Sequence, residues 1–262
     1  MSLPFSRDRR LGRGAVRPSP VFLLVVAVTV AGAVLAWISD YGETAAGVGV
    51  FVLVVAGWIV TLCLHEFAHA YLAWRAGDRE VELRGYLTLN PLKYSHPLLS
   101  IVLPVVFIAL GGFGLPGGAV YVHPHAVSPA RQRMISGAGP AVNAVCGVVL
   151  LLVVVVFGST TGHAAFWYGL AFLGFLQITA TLLNLLPIPG LDGYGILEPS
   201  LSYRTRRSLD QLKPLGMLLL FALILTPTVN RPFFDAIYTI CELFGVPDVW
   251  VARGAGLVRF WT

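Results

Sequence analysis

Residues 45–75 read AAGVGVFVLVVAGWIVTLCLHEFAHAYLAWR. Twenty residues, 45–64, pass without a charge; His65, Glu66 and His69 follow, and the run closes on Arg75. An apolar stretch of about 20 residues is long enough to cross a ~30 Å hydrocarbon core as a helix. A spacing of four puts His65 and His69 on one helical face, with Cβ atoms about 5–6 Å apart. Ten residues from His65 to Arg75 correspond to ~15 Å along a helix. With Arg75 at the interface, the polar trio lies inside the hydrocarbon, where ionisable side chains are costly and by default functional.

The rest of the chain has the same character. Of 262 residues, 56% are hydrophobic and 12% charged, with a mean hydropathy of +0.78, whereas a soluble domain carries about 25% charged residues. Further uncharged runs cover 21–38, 97–122, 134–162, 164–191 and 214–230. The composition therefore predicts an all-α polytopic membrane protein of about six transmembrane helices. The net charge of +5 comes from arginines flanking apolar runs, where they report orientation. No basic face interleaved with aromatics supports nucleic-acid binding. Cys63, Cys146 and Cys241 are scattered without CxxC spacing and read as small buried hydrophobes.

Arg7, Arg9, Arg10, Arg13 and Arg17 in residues 1–20 place a basic N-terminus in the cytoplasm, ahead of a retained first helix at about 21–38. The second helix, about 46–74, runs inward to a loop holding Arg75, Arg79, Arg84 and Lys93. Glycines and Pro116 interrupt the apolar run after residue 110, and Arg131 and Arg133 follow. The charge rule is then best met if 98–127 dips in and returns as a reentrant segment. Leu83, Tyr86 and 119–122 are candidate strand-like stretches, which at membrane depth must be buried in protein or line a wet cavity. Helices at 134–157, 164–186 and 214–227 complete the reading. A core at 46–200 lies within a domain at 21–230, and a tail at 231–262, with Trp250 and Trp261, is interfacial or weakly spanning.

His65-Glu66-Phe67-Ala68-His69 matches HExxH, the helical motif in which two imidazoles bind zinc and the glutamate serves as general base. With six His and six Glu in the chain, about 0.003 accidental matches are expected. Two histidines and a water leave zinc one protein ligand short. Asp192 is the candidate: it is the sole acidic residue between Glu82 and Glu198, in Asn184-Leu185-Leu186-Pro187-Ile188-Pro189-Gly190-Leu191-Asp192-Gly193. Pro187 and Pro189 cannot continue the preceding helix and leave an extended stretch able to aim a side chain across at His65 and His69. A helix-terminating turn is the alternative reading of the same residues.

HEFAH, then Gly139-Pro140-Ala141-Val142-Asn143, then NLLPIPGLDG, in that order over roughly 46–200, resembles the site-2 protease family of intramembrane zinc metalloproteases. The resemblance implies one zinc ion on His65, His69 and Asp192, Glu66 as catalytic carboxylate, and Asn184 near the active site as an oxyanion donor. Asn143 would lie close by. It implies hydrolysis of peptide bonds within or beside transmembrane helices of membrane-protein substrates, with lipid as surroundings and the cell membrane as location. Gly193-Tyr194-Gly195 stands where many members continue with Gly-Arg, and His96 where a similar subset has Asp. The compact chain has no room for a PDZ or CBS module. His96, His123, His125 and His163 read as solvated or interfacial, and Arg204, Arg206 and Arg207 as cytoplasmic anchors. Two rivals remain: a metal-binding membrane transporter using the same ligands, and an inactive relative that binds transmembrane segments.

Overall fold

The structure is a computed structural model that describes residues 16–94, 105–106, 128–158 and 162–261. Four of its helices are long and apolar enough to cross a membrane: α1 (Pro20–Ile38), α2 (Thr44–Arg75), α4 (Pro129–Phe157) and α5 (Ala164–Asn184). Between α2 and α4 lies the short α3 (Glu80–Leu83), and after α5 come α6 (Asp192–Leu197), α7 (Tyr203–Asp210), α8 (Gly216–Leu225), α9 (Pro227–Leu243) and α10 (Asp248–Val258). The protein is therefore a helical membrane protein.

Local chemistry sets the ends. Ser19 Oγ accepts the Phe22 N–H at 3.1 Å and Pro20 opens α1, a capped start with proline where no helical donor is needed. Helix α2 stops after Arg75, where Gly77 adopts φ +110°, a conformation that glycine takes without strain. At 32 residues α2 is ~48 Å long, longer than the hydrocarbon core is thick.

Helix α5 is the hub. Of its apolar window 83% is buried, against 11% for α1. Gln177 on α5 donates to Thr61 Oγ1 on α2 at 2.8 Å inside the bundle. Helix α1 lies on α2 through a close small-residue crossing: a Cβ on Gly32 would stand 2.5 Å from the Leu53 nitrogen, and one on Gly49 2.5 Å from the Ala36 nitrogen. Such positions let helix backbones approach closely in lipid. The outward faces of α1 (Leu23, Leu24, Val30, Val34, Ile38) and α4 (Val145, Val149, Val156) are exposed and apolar, as lipid contact requires.

Several expectations change. The run 214–227 is not one continuous helix. Helix α8 covers ten residues, ~15 Å or half the hydrocarbon thickness, and α9 starts anew at Pro227. Proline lacks the N–H and sterically opposes the preceding turn. Among the described residues, four helices are each long and apolar enough to span on their own. Leu83 and Tyr86 are not in strands. Leu83 ends α3, and Tyr86 opens a 3-10 turn, Tyr86–Thr88, after Gly85 at φ +74°. No strand occurs among the described residues. The proposed reentrant segment 98–127, with 119–122, lies outside the described residues apart from 105–106, as do His96, His123, His125 and residues 1–15.

The C-terminal helix α10 lies across the bundle end where α2 begins, α4 ends and α5 begins. A Cβ on Gly254 would meet the Tyr168 oxygen at 2.1 Å, and one on Gly158 would meet Trp250 at 2.8 Å. The opposite end, where α2 and α5 finish and α4 starts, carries the functional side chains.

Candidate metal centre

His65 and His69 come from α2 with their rings 4.7 Å apart and their Nε2 atoms 3.1 Å apart. Helix α4 fixes the second of them. His69 Nδ1 donates to the Ile135 carbonyl at 2.7 Å, which commits the Nε2 lone pair to the partner on the other side.

Asp192 arrives from the other direction. Helix α5 ends at Asn184, and the two prolines carry the chain to Gly190 at φ +100°, closed by Leu191 N–H to the Ile188 carbonyl at 2.9 Å. Asp192 then opens α6. Its Oδ2 lies 3.3 Å from His65 Nε2 and its Oδ1 3.4 Å from His69 Nε2. Burial by itself raises the Asp192 carboxyl, but the imidazoles, His69 foremost, outweigh it and hold the group below the ordinary carboxylate range.

The donor set suits a zinc ion. Bonds of ~2.0–2.1 Å in a tetrahedral array put ligand atoms about 3.3–3.4 Å apart, close to the 3.1, 3.3 and 3.4 Å found here. The three residues form a group able to hold a metal. Asp192 Oδ2 and Glu66 Oε2 are buried without hydrogen-bond partners, a costly state that a cation and a water relieve. Glu66 is only 1% exposed. A further sign is steric: a Cβ on Gly139 would stand 2.2 Å from His69 Nε2 and 2.5 Å from His65 Nε2. The α4 backbone therefore closes one side of the donor set, and any side chain there would occupy it.

The loop bearing Asp192 is locked from three sides. Gly193 packs so closely that a Cβ would lie 2.2 Å from the Leu185 carbonyl oxygen, and one on Gly195 2.6 Å from Ser136 Oγ. Tyr194 donates to Asp210 Oδ1 at 3.1 Å, and burial with that bond pushes its phenol up to about 12. Glu198, 5% exposed, faces Arg206 Nε at 2.7 Å, Lys213 Nζ at 3.4 Å and Gln132 Nε2 at 3.5 Å. Arg206 is thus engaged with Glu198 besides any part in anchoring.

Asn143 lies one turn beyond Gly139 on the same face of α4, buried, with Oδ1 unpartnered. Asn184 is buried at the end of α5 and makes no side-chain hydrogen bond to His65, His69 or Asp192 among the described residues. Cys63 is buried apart from the donors, its carbonyl accepting from Tyr94 at 3.1 Å. His163 stacks on Trp37 at 3.7 Å and bonds its carbonyl. The sequence reading misses Gly139, Ile135 and Glu198 as parts of the site. The glycine stood in a quoted motif, but nothing in the sequence assigns its contact with the imidazoles.

Known proteins agree with this chemistry. Over 251 residues the chain is 55% identical to "Putative zinc metalloprotease Rip2" of Mycolicibacterium smegmatis, covering 95% of this chain and 96% of that one. The chain belongs to this zinc metalloprotease family. The protein of the same name from Mycobacterium tuberculosis is 51% identical over 253 residues, covering 95% and 96%. "Putative zinc metalloprotease YwhC" of Bacillus subtilis is 34% identical over 178 residues, covering 64% of this chain and 78% of its own length. These matches are consistent with a compact member of the site-2 protease family. No family profile and no solved structure matches the chain.

Proposed function

We propose that the protein is an intramembrane zinc metalloendopeptidase that hydrolyses peptide bonds within or beside transmembrane helices of membrane-protein substrates. The observation that carries this reading is the meeting of His65, His69 and Asp192 at tetrahedral spacing, with buried Glu66 beside them on a membrane-spanning helix. His65, His69 and Asp192 would hold a single zinc ion, which when bound supplies a Lewis acid for the scissile carbonyl and acidifies the attacking water. Glu66 accepts the proton of that water and returns it to the leaving amine. The Asn184 amide donates to the developing oxyanion, and Asn143 assists from the Gly139 face of α4. Ile135 keeps His69 in the required tautomer through its carbonyl. The protein lies in the cell membrane with its N-terminus and the Arg75, Arg131 and Arg133 end facing the cytoplasm.

Comparison of wild type with Glu66→Gln on single-span membrane substrates tests the reading. Loss of cleavage by on the order of 10³-fold or more, with metal content unchanged, is expected for removal of the general base. Undiminished cleavage by Glu66→Gln would remove Glu66 as the general base, and a zinc-loaded wild type that cleaves no such substrate would point instead to metal transport or substrate binding.

A further inference from the structure

A cleft opens between the end of α2 and the start of α4, on the arginine-rich side of the metal centre. It has a volume of about 250 Å³ and is lined by Leu72, Arg75, Ala76, Arg131, Met134 and Ile135. Two features distinguish it from ordinary interfacial surface. Among the described residues its lining carries two positive charges and no negative one, and neither guanidinium has an ion pair. The nearby carboxylates are engaged elsewhere. Glu80 pairs with Arg84, Glu82 accepts from Trp74 Nε1 at 3.0 Å, and Asp78 accepts from the Glu80 N–H at 2.9 Å. The second feature is continuity with the donors. Ile135 forms part of the cleft wall, and its carbonyl is the group that holds His69.

Resting on the peptidase reading, we infer that Arg75 and Arg131 select substrates bearing an acidic side chain about three residues from the scissile bond, toward the arginine side. The spacing follows from helix and strand geometry. Arg75 lies six residues beyond His69, ~9 Å along α2 at 1.5 Å per residue. Arg131 lies four residues before Ile135, ~6 Å along α4. A substrate unwound for hydrolysis advances ~3.3 Å per residue, so ~9 Å corresponds to about three residues. Leu72 and Met134 give the extended chain apolar walls, while the two guanidinium groups present planar, paired donors to a carboxylate. A lipid phosphate would satisfy the same donors. The peptide is favoured because the cleft wall includes Ile135, whose carbonyl holds the metal-binding His69, so a chain lying in the cleft is next to the donor set.

The test uses the full chain in bilayers of zwitterionic lipid, with and without added anionic lipid, and one single-span substrate made with Asp, Asn or Lys at the third residue from its cleavage point on the arginine side. For wild type, kcat/KM is expected to favour Asp over Lys by about tenfold, the range of a well-placed charge pair. In Arg75→Gln/Arg131→Gln the ratio falls to within about twofold, and in Arg75→Glu/Arg131→Glu it reverses, with zinc content unchanged in both. Binding of the labelled substrates to Glu66→Gln protein follows the same order without needing turnover. Equal ratios in wild type and Arg75→Gln/Arg131→Gln overturn the inference. So does an effect of the arginines on dependence on anionic lipid alone, identical for the three substrates. A wild type that cleaves none of the three overturns the peptidase reading, and this selectivity with it.

Discussion

His65 and His69 are neighbours on one helix, whereas Asp192 reaches them from a turn that follows two further spanning helices. The pair needs only a turn of α2 to be placed, because helical geometry brings residues four apart together. Asp192 has no such local guarantee. It is placed by Gly190 in the left-handed region, by the close packing of Gly193 and Gly195, and by buried Glu198 gripped from α7 and the Lys213 segment. One part of the site is specified by a single element, the other by agreement among many, so damage to distant residues should fall on the carboxylate first.

The largest effect is expected at Gly139, which touches the helical pair. Alanine there would favour the α4 helix itself by up to about 1 kcal/mol, yet its Cβ would press on both imidazole nitrogens. Gly139→Ala is expected to lower zinc affinity by about 10–100-fold, the range for disturbed ligand support, measured by chelator competition. Undiminished affinity would mean that α4 does not close the donor set.

At the loop the effects are graded. Glu198→Gln leaves Arg206 and Lys213 facing a neutral amide. Because those partners are partly exposed, the expected loss is about 1–2 kcal/mol of stability and roughly 3–10-fold in zinc affinity. Thermal unfolding in detergent, followed beside metal competition, separates the two. Tyr194→Phe removes one hydrogen bond to Asp210; about 1 kcal/mol of stability and under about twofold in affinity are expected. An affinity loss at Tyr194 as large as at Gly139 would contradict the ranking.

The same contrast explains what the sequence could convey. HEFAH on an apolar helix was readable because the relevant geometry is local, and Asp192 because no other acid stands between Glu82 and Glu198. The contact of Gly139 with both imidazoles was not readable: a glycine advertises the absence of a side chain, not what its backbone approaches. Nor was the Ile135 carbonyl, since every residue has one. The break between α8 and α9 was written in Thr226-Pro227, but apolar composition summed over 214–227 hid it. Hydrophobicity reports partitioning, whereas proline acts on backbone geometry at one residue. Leu83 and Tyr86 resembled strand residues by side chain, while Gly85 between them turns the chain.

The most direct test of the metal centre is the equilibrium zinc affinity of the purified full chain, wild type against Asp192→Asn. If the carboxylate completes the donor set, the substitution lowers affinity by on the order of 10²-fold or more, with helix content unchanged. Equal affinity in the two proteins would contradict it, placing zinc on ligands other than the carboxylate that α6 brings to the histidines.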